Sequence, residues 1–351
     1  MKRRFARWFA RGAIGLCTAA ACAAAPPTGL QRDVVFSTPA PLARNEELLR
    51  RLVSPLHAVD MQKAMAGNPL AMQASPLAPA QQHFALYVPT SPAPASGYPL
   101  LVFVPPWNDA RIPSEWVPVL DRNHVILVTA AGSGNDADVL DRRDPLALLA
   151  ALNVMQRYRV DPARVYVGGF SGGSRIALRL ALAYPDLFRG ALLDAGSDPI
   201  GTAQIPLPPA DLLHRFQQSS RIVFLTGSDD AIRQAQRARA TESLEQWCVS
   251  DSDGIMLLHT GHALADAAGL AQALAALFKP RAPDAAKLAA CRARNAAALA
   301  KELADAESLV DAGHFKQAMQ ALTRIDAHYG GLAAPRSVEL LRALGSRGET
   351  H

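Results

Sequence analysis

Short apolar runs alternate with longer amphipathic stretches through the middle of the chain. Residues 83–88 alternate like a strand, and six further runs are of the buried-strand type: 100–104, 124–128, 164–167, 191–193, 222–225 and 255–258. Helical patterns lie between them, over residues 145–158, 172–184, 231–247 and 264–278. Strands that alternate with helices predict a mostly parallel sheet covered on both faces. We therefore expect α/β architecture from about residue 80 to residue 280.

The flanking segments differ in composition. Residues 23–43 are rich in Pro and Ala and predict a linker, whereas residues 45–65 have apolar positions at helical spacing and predict a helix that packs on the main domain. This domain is expected over residues 44–280.

A helical extension is expected over residues 281–351. Residues 284–312 and 315–328 predict two helices separated by Gly313, and a last helix runs to about residue 344. The Gly-x-Phe-x-x-Ala spacing at residues 313–318 resembles a single tetratricopeptide-type hairpin. Because no second copy follows, a helical cap on the main domain is the favoured interpretation.

The first 22 residues have the layout of a secretory signal. Five basic residues and no acid lie in residues 1–11, followed by an uncharged small-residue stretch over 12–25 that is shorter than the roughly 20 residues of a membrane span. An amphipathic first helix is the alternative. Residues 19–22 (AAAC) fit a bacterial lipobox with a lipid anchor at Cys22, or plain signal cleavage. The sequence thus predicts an exported protein, periplasmic or extracellular, with no membrane contact beyond that anchor.

The charge balance bears on the classes of binding partner, and the cysteines bear on a disulfide. Five of the 36 Lys and Arg residues lie in the signal, which leaves 31 against 31 acidic residues, so charge gives no argument for nucleic acid. Beyond the signal the sequence has two cysteines, Cys248 and Cys291. In an oxidising compartment they predict a disulfide, and two buried free thiols are the alternative. Neither has a neighbour at metal-binding spacing.

Residues 164–185 (RVYVGGFSGGSRIALRLALAYP) carry the strongest chemical signal. A strand pattern ends in Gly169-Phe170-Ser171-Gly172-Gly173, and a helix pattern begins at once. G-x-S-x-G between strand and helix indicates a strained turn that exposes a nucleophilic Ser171, with glycines where backbone segments approach closely. The N–H groups of the new helix, Gly172 first, suit an oxyanion. The alternative is a glycine-rich turn with an incidental serine.

A serine nucleophile needs a base held by an acid, in the chain order Ser, Asp or Glu, His. Asp229 and Asp230 follow one buried strand. We favour Asp230 as the acid, because Gly227 three residues earlier gives the loop room to turn. Asp229 is the candidate helix N-cap, and the two could exchange roles.

His259 and His262 follow the next strand, at the same edge of a parallel sheet as Ser171. We favour His262 as the base, because Gly261 before it would let the loop expose the ring. His259 lies nearer the strand and is expected to be packed.

On these residues the chain resembles the α/β-hydrolase esterases of the poly(3-hydroxybutyrate) depolymerase and feruloyl esterase lineage. The similarity covers about residues 80–280. Its matching segments are 161–173 (DPARVYVGGFSGG), 181–196 (ALAYPDLFRGALLDAG), 84–89 (FALYVP), 100–106 (LLVFVPP) and the TGSDD and TGH loops. The resemblance implies the α/β-hydrolase fold, a triad of Ser171, Asp230 and His262, and no metal or organic cofactor.

The chain departs from this lineage after residues 100–104. The lineage usually has His-Gly there, beginning the second half of the oxyanion hole, and this chain has Pro105-Pro106. Because proline has no N–H, the Trp107 N–H is expected as the second donor beside Gly172. Trp107 and Asn108 lining the acyl pocket is one alternative, and a structural Trp107 is another.

Two loops at the same sheet edge are candidates for setting specificity. Residues 130–144 offer Asn135 and Asp136 as polar groups, and residues 197–213 are Pro-rich and long enough for a lid. Ordinary solvated loops are the alternative.

Together these features predict an exported serine hydrolase that cleaves small-molecule or polymeric carboxylic esters. A peptidase on the same fold is one alternative. An inactive hydrolase-fold envelope protein is the other, with its C-terminal helices binding a protein partner.

Overall fold

An eight-stranded sheet runs through the protein in the order β1-β2-β4-β3-β5-β6-β7-β8. The structure, a computed structural model, describes residues 26–279 and 282–348. The strands are β1 (Gly29–Val35), β2 (His83–Val88), β3 (Tyr98–Val104), β4 (Ile126–Ala130), β5 (Val160–Phe170), β6 (Gly190–Asp194), β7 (Arg221–Gly227) and β8 (Ser252–Leu257). β2 is antiparallel to β1 and β4. The remaining neighbours in the sheet, β4–β3, β3–β5, β5–β6, β6–β7 and β7–β8, pair in parallel. The predicted α/β-hydrolase fold is confirmed.

Helices cover both faces of this sheet. They are α1 (Asn45–Leu52), α2 (Pro55–Met65), α3 (Pro69–Gln73), α4 (Val117–Arg122), α5 (Asp144–Arg157), α6 (Gly172–Ala183), α7 (Ala210–Ser219), α8 (Ala231–Gln246), α9 (Ala267–Leu277), α10 (Ala285–Asp311), α11 (Phe315–Tyr329) and α12 (Arg336–Gly348). None of them, over the residues described, is both long and apolar enough to cross a membrane.

The central strands are buried on both sides. Along β3, Leu100 and Val102 belong to the core under α5 and α6, while Leu101 and Phe103 belong to the core under α4 and α9. Side chains of a strand alternate between faces, so a strand with two buried faces is a continuous apolar run. This is why the central strands were predictable from the sequence.

The linker predicted over residues 23–43 is wrong for its described part. Residues 29–35 form β1, which pairs with β2, and Val34 and Phe36 are buried, the latter with its ring 4.9 Å from that of Phe84. Pro and Ala on either side of the strand mask its few apolar residues. The signal segment and Cys22 lie outside the described residues, so export and the lipid anchor stay predictions.

The helix predicted over residues 45–65 is two helices. α1 ends at Leu52 and α2 begins at Pro55. Proline lacks the N–H and excludes the helical conformation of the residue before it, so it fits the first turn of a helix and interrupts a longer one.

The three C-terminal helices pack on the hydrolase domain. Leu322 of α11 belongs to the same hydrophobic core as the central strands. Asp326 accepts hydrogen bonds from the Leu56 N–H (2.9 Å) and the Ser54 hydroxyl (2.5 Å), and so caps α2. The Gly331 N–H donates to the Leu207 carbonyl at 2.7 Å. The extension is therefore a helical cap on the domain.

A disulfide joins Cys248 to Cys291, with 5.8 Å between the Cα atoms, and confirms the predicted pairing. We expect the double variant Cys248→Ser, Cys291→Ser to lose about 4 kcal/mol of unfolding free energy, because the bond closes a loop with a sequence separation of 43 residues. Urea unfolding with and without reductant measures this. Reductant should weaken the wild type and leave the double variant unchanged, and an equal response of both proteins would contradict the prediction.

Candidate active site

Ser171 occupies the sharp turn between β5 and α6. Its backbone has φ 54° and ψ −116°, a conformation that is strained for any residue other than glycine. The Ser171 N–H donates to the Asp194 carbonyl (2.8 Å), and the buried Ser174 hydroxyl lies 2.6 Å from the carbonyls of both Gly169 and Asp194. These bonds tie the turn to β6 and hold the strained residue in place.

The glycines that flank Ser171 are required by close backbone approach, as the motif predicts. A Cβ on Gly169 would lie 2.3 Å from the carbonyl carbon of Gly173, and one on Gly173 would lie 1.9 Å from the Val104 carbonyl oxygen. Both distances are far below van der Waals contact. The turn can adopt this shape only without those side chains.

The structure brings together the three side chains of the predicted triad. His262 Nε2 lies 3.0 Å from Ser171 Oγ, and His262 Nδ1 lies 2.9 Å from Asp230 Oδ2. The Asp230 side chain is 9% exposed and the His262 side chain 39%. A carboxylate that accepts a hydrogen bond from the Nδ1–H group leaves the Nε2 lone pair facing the serine hydroxyl, which is the arrangement of a general base.

The alternative acid and base lie away from this contact. Asp229 is exposed and accepts from the Ser228 hydroxyl at 2.9 Å. The N-cap role belongs to Asp230, whose Oδ1 accepts from the Arg233 N–H at 3.2 Å. His259 is exposed with φ 54°, so the expectation that it is packed is wrong. β8 ends at Leu257, and the chain turns outward before His259.

Gly227, and not Gly261, is the glycine that shapes the acid and histidine loops. A Cβ on Gly227 would lie 2.1 Å from the Thr260 carbonyl oxygen, which accepts from the Asp229 N–H at 3.0 Å. A Cβ on Gly261 would meet nothing within 4 Å. The His262 ring is exposed as expected, but its exposure does not require glycine at position 261, because that position has room for a side chain.

Two residues that sequence reasoning missed position the histidine. The Phe170 ring stacks on the His262 ring, with centroids 5.1 Å apart and 27° between the planes. Asp194 Oδ2 accepts from the Ala265 N–H at 2.8 Å and so anchors the loop that carries His262. Phe170 lies inside the motif and Asp194 ends the next parallel strand, so both were visible in the sequence as candidates.

The two predicted oxyanion donors, the N–H groups of Gly172 and Trp107, make no hydrogen bond to the described part of the protein. Gly172 is the first residue of α6, so its N–H has no intrahelical acceptor. Across residues 26–279 and 282–348, neither this N–H nor that of Trp107 donates to a protein group. The carbonyls of Pro105 and Pro106 accept from Arg143 Nη2 and the Asn135 N–H, both at 3.1 Å, which fixes the segment before Trp107.

The Trp107 indole packs instead of lining a pocket. It lies 6.2 Å from the Phe170 ring, and the Arg111 guanidinium stacks over it at 4.5 Å. The Trp107 side chain is half-buried in these contacts and is not part of the lining of the cavity beside Ser171.

Asn108 and Asn135, the two predicted substrate contacts, differ in their roles. Asn108 Nδ2 donates to Asp136 Oδ1 at 3.1 Å and its Oδ1 accepts from the Gly134 N–H at 3.0 Å, so this side chain joins two loops and does not line the cavity beside Ser171. Asn135 does line that cavity, and its amide lies against Gly172, where a Cβ would come within 2.1 Å of Asn135 Oδ1.

A cavity of about 530 Å³ opens beside the nucleophile, within the usual range for a small-molecule site. Its lining comes from both candidate specificity loops, from α6 and from α8: Asn135, Val139, Arg143, Ser171, Gly172, Arg175, Ile176, Arg179, Asp198, Gln204, Ile205 and Arg233. Residues 197–213 are not an ordinary solvated loop, because Ile200, Ile205 and Leu207 are buried and α7 begins at Ala210. In the part of the chain that is described, no group of three or more His, Cys, Asp or Glu side chains could hold a metal ion.

Asp194 makes stability depend on pH. Burial raises the pKa of its carboxyl to about 7, against a weaker opposing effect of the Ala265 N–H bond. An unfolded aspartate ionises near pH 4, so between about pH 4 and 7 the native state keeps a proton that the unfolded state loses. The unfolding free energy therefore falls as pH rises through this range.

We expect Asp194→Asn to remove this dependence. Relative to the wild type, the variant should gain about 2–3 kcal/mol of unfolding free energy between pH 5 and pH 8. Urea unfolding of both proteins at pH 5, 6.5 and 8 measures the difference. Parallel stability curves would contradict the prediction, and groups that titrate in both proteins, such as the buried Asp144, cancel in the comparison.

Comparisons with known proteins give distant similarities. No family model matches the chain. A curated protein of Nocardia uniformis subsp. tsuyamanensis, named "Putative esterase NocK", is 48% identical over 54 residues, which are 15% of this chain and 14% of that protein, so the chain spans about one-seventh of that relative's length. The solved poly(3-hydroxybutyrate) depolymerase LpqC from Bordetella parapertussis is 19% identical, with 60% of this chain and 88% of that chain covered and a TM-score of 0.42. The S-formylglutathione hydrolase FrmB from Staphylococcus aureus is 14% identical, with 55% of this chain and 89% of that chain covered and a TM-score of 0.42.

Proposed function

We propose that this α/β-hydrolase-fold protein is an exported serine hydrolase that cleaves carboxylic esters through an acyl-enzyme on Ser171. The observation that carries the proposal is the continuous relay from Asp230 through His262 to Ser171, with 2.9 and 3.0 Å between its atoms. Ser171 also has a strained backbone, which is typical of functional sites. The disulfide agrees with an oxidising compartment, and export belongs to the proposal, with either a lipid anchor at Cys22 or plain signal cleavage.

In the acylation step, Ser171 Oγ forms a bond to the ester carbonyl carbon while its proton moves to His262 Nε2. The carbonyl electron pair becomes an oxyanion, and the N–H groups of Gly172 and Trp107 are the proposed donors to it. When the oxyanion collapses, the bond from carbon to the alcohol oxygen breaks and the proton on His262 passes to the leaving alcohol. Asp230 stabilises the imidazolium throughout.

Deacylation repeats the sequence with water. His262 takes a proton from the water, whose oxygen attacks the acyl carbon, and returns it to Ser171 Oγ as the acid leaves. One ester and one water thus give one acid and one alcohol. The names of two of the similar proteins contain a substrate, poly(3-hydroxybutyrate) in one and S-formylglutathione in the other. These substrates belong to those proteins. They agree with acyl transfer as the reaction class proposed here.

Activity-based labelling of the purified mature protein, with an ester panel, tests the proposal. We expect a fluorophosphonate to modify one residue, Ser171, as located by peptide mass spectrometry, and 4-nitrophenyl esters of short acids to be hydrolysed. Casein and peptide amides serve as the second arm, since peptide cleavage at rates no slower than ester turnover would indicate a peptidase. No label on Ser171 and no turnover of any acyl length would reject the proposal.

A further inference from the structure

The cavity beside Ser171 is strongly cationic. Among its lining residues are four arginines, Arg143, Arg175, Arg179 and Arg233, and one acid, Asp198. The chain as a whole, outside its first 22 residues, carries balanced charge. The concentration of positive charge in one concave surface is therefore a local property of this cavity.

Arg179 is the arginine whose position the fold already explains. Its Nε donates to the buried Asp144 at 3.1 Å, Nη1 to the Gln204 carbonyl at 3.0 Å and Nη2 to the Leu52 carbonyl at 2.7 Å. This side chain joins α5, α6 and the end of α1. Its charge is neutralised by Asp144, so it supplies the cavity wall and not a ligand contact.

Arg143 is buried without an ion pair among the described residues. Its Nε and Nη2 donate to the carbonyls of Ser133 (3.0 Å) and Pro105 (3.1 Å), while Nη1 donates to no protein group in residues 26–279 and 282–348. Burial lowers the pKa of its guanidinium, although Asp144 and Asp136 act against this. A buried cation that keeps only carbonyl partners is stabilised when an anion enters the adjoining cavity.

Arg175 presents the accessible charge. It lies in the first turn of α6, four residues after Ser171, and both residues line the cavity. Arg175 forms an ion pair with Asp198, with 3.4 Å between Nε and Oδ2; Nε makes no hydrogen bond, and the side chain is 41% exposed. Within the described part of the chain, its two Nη groups have no hydrogen-bond acceptor.

Arg233 adds a further charge next to the base. Its Nε lies 3.4 Å from His262 Nδ1 and its Nη1 donates to Gln236 at 2.6 Å. The N-terminus of α6 contributes a partial positive charge at the same place. Three guanidinium groups and a helix end thus surround the space next to the serine hydroxyl, with Asp198 as the opposing charge in the lining.

We infer that this cavity binds a carboxylate of the substrate, so that the preferred ester carries a negative charge on its acyl or its alcohol part. The inference rests on the proposed function, since the cavity is read as the substrate site of Ser171. Guanidinium groups bind carboxylates through paired, charge-assisted hydrogen bonds, and the Nη groups of Arg175 and Arg143 Nη1 are the donors available for them.

Matched pairs of esters test the inference. On the acyl side, 4-nitrophenyl hemiadipate is compared with 4-nitrophenyl hexanoate, which replaces the carboxylate by a methyl group. On the alcohol side, the butyrate ester of 4-hydroxybenzoate is compared with phenyl butyrate. We expect kcat/KM for the anionic member of one pair to exceed that of its neutral partner by about tenfold, and the ratio to fall in 0.5 M NaCl. The pair with the larger ratio identifies the part of the substrate that enters the cavity.

Two substitutions that change the charge of the cavity in opposite directions test whether that charge causes the preference. Arg175→Gln should lower the anionic-to-neutral ratio about tenfold, and Asp198→Asn should raise it about threefold because it removes the opposing charge. Arg215→Gln, an exposed arginine of α7 away from the cavity, is the matched control and should leave both rates and the ratio unchanged.

The outcomes separate the inference from the proposed function. Hydrolysis of the neutral esters with ratios at or below one in both pairs would overturn the inference and leave the proposed function standing. An anionic-to-neutral ratio that is unchanged by salt, by Arg175→Gln and by Asp198→Asn would overturn the inference as well. No turnover of any ester together with an unlabelled Ser171 would overturn both.

Discussion

Replacing Ser171 with alanine is expected to lower kcat/KM for a short 4-nitrophenyl ester by roughly 10⁵-fold. The variant keeps His262 and Asp230 but loses the atom that bonds to the acyl carbon, so only the oxyanion donors and substrate binding remain. The elbow itself should persist, because the bonds that hold it come from the Ser171 N–H and the Ser174 hydroxyl. Steady-state kinetics and fluorophosphonate labelling measure the loss, and circular dichroism confirms the fold.

Ser219→Ala is the control for this experiment. Ser219 is an exposed serine at the end of α7, and its hydroxyl donates only to the Arg215 carbonyl at 2.8 Å. Its variant should match the wild type in both activity and labelling. A Ser171→Ala protein that retained more than a hundredth of the wild-type activity, after purification free of contaminating esterase, would show that the nucleophile lies elsewhere.

Gly173→Ala is expected to remove roughly 3–5 kcal/mol of unfolding free energy, the upper range for overpacking. The added methyl group would stand 1.9 Å from the Val104 carbonyl oxygen, and backbone atoms on both sides of that contact belong to the sheet and its elbow. The chain can relieve the clash only by moving α6 away from β3. Because Gly172 begins α6, the proposed oxyanion donor moves with it, so activity should fall with stability.

Gly261→Ala supplies the comparison. It adds the same methyl group next to His262, where nothing lies within 4 Å and the backbone is not left-handed. Its stability should stay within about 0.5 kcal/mol of the wild type. Thermal unfolding and ester turnover of both variants decide the matter. Equal stability of Gly173→Ala and wild type would mean that the elbow is less tightly packed than the structure indicates.

Much of the fold was predictable because of how its central strands are buried. Strands such as β3 and β7 are buried at every position and contain uninterrupted apolar runs, 100–104 and 222–225, and they alternate with helices long enough to cross the sheet. β1 was missed because it lies at the edge of the sheet and buries mainly Val34. Its pattern of Leu, Gln, Arg and Asp does not differ locally from a polar loop, and only pairing with β2 makes it a strand.

The candidate site was predictable where chain order and local geometry determine it. Ser171, Asp230 and His262 follow the ends of parallel strands, which lie at one edge of the sheet. Their order and spacing along the sequence are therefore sufficient to predict that they lie together. The sequence also predicted that Gly227 shapes the acid loop. It did not predict the approach of the Thr260 carbonyl to Gly227, because Thr260 lies on another loop.

The cationic cavity was beyond sequence reasoning for a similar reason. Arg143, Arg175 and Arg233 are separated by dozens of residues and lie on three different elements. In a chain with balanced charge, nothing in their spacing distinguishes them from the arginines that cover the surface. Only the folded arrangement shows that their guanidinium groups converge.

The disulfide has a consequence for how this protein would withstand proteases. His262 lies between Cys248 and Cys291 in the sequence, so it belongs to a covalent ring together with β8 and α9. A single peptide-bond cut inside that ring releases no fragment, and His262 stays attached to the polypeptide that bears Ser171 and Asp230. A nicked molecule would then migrate as two pieces on a gel only after reduction.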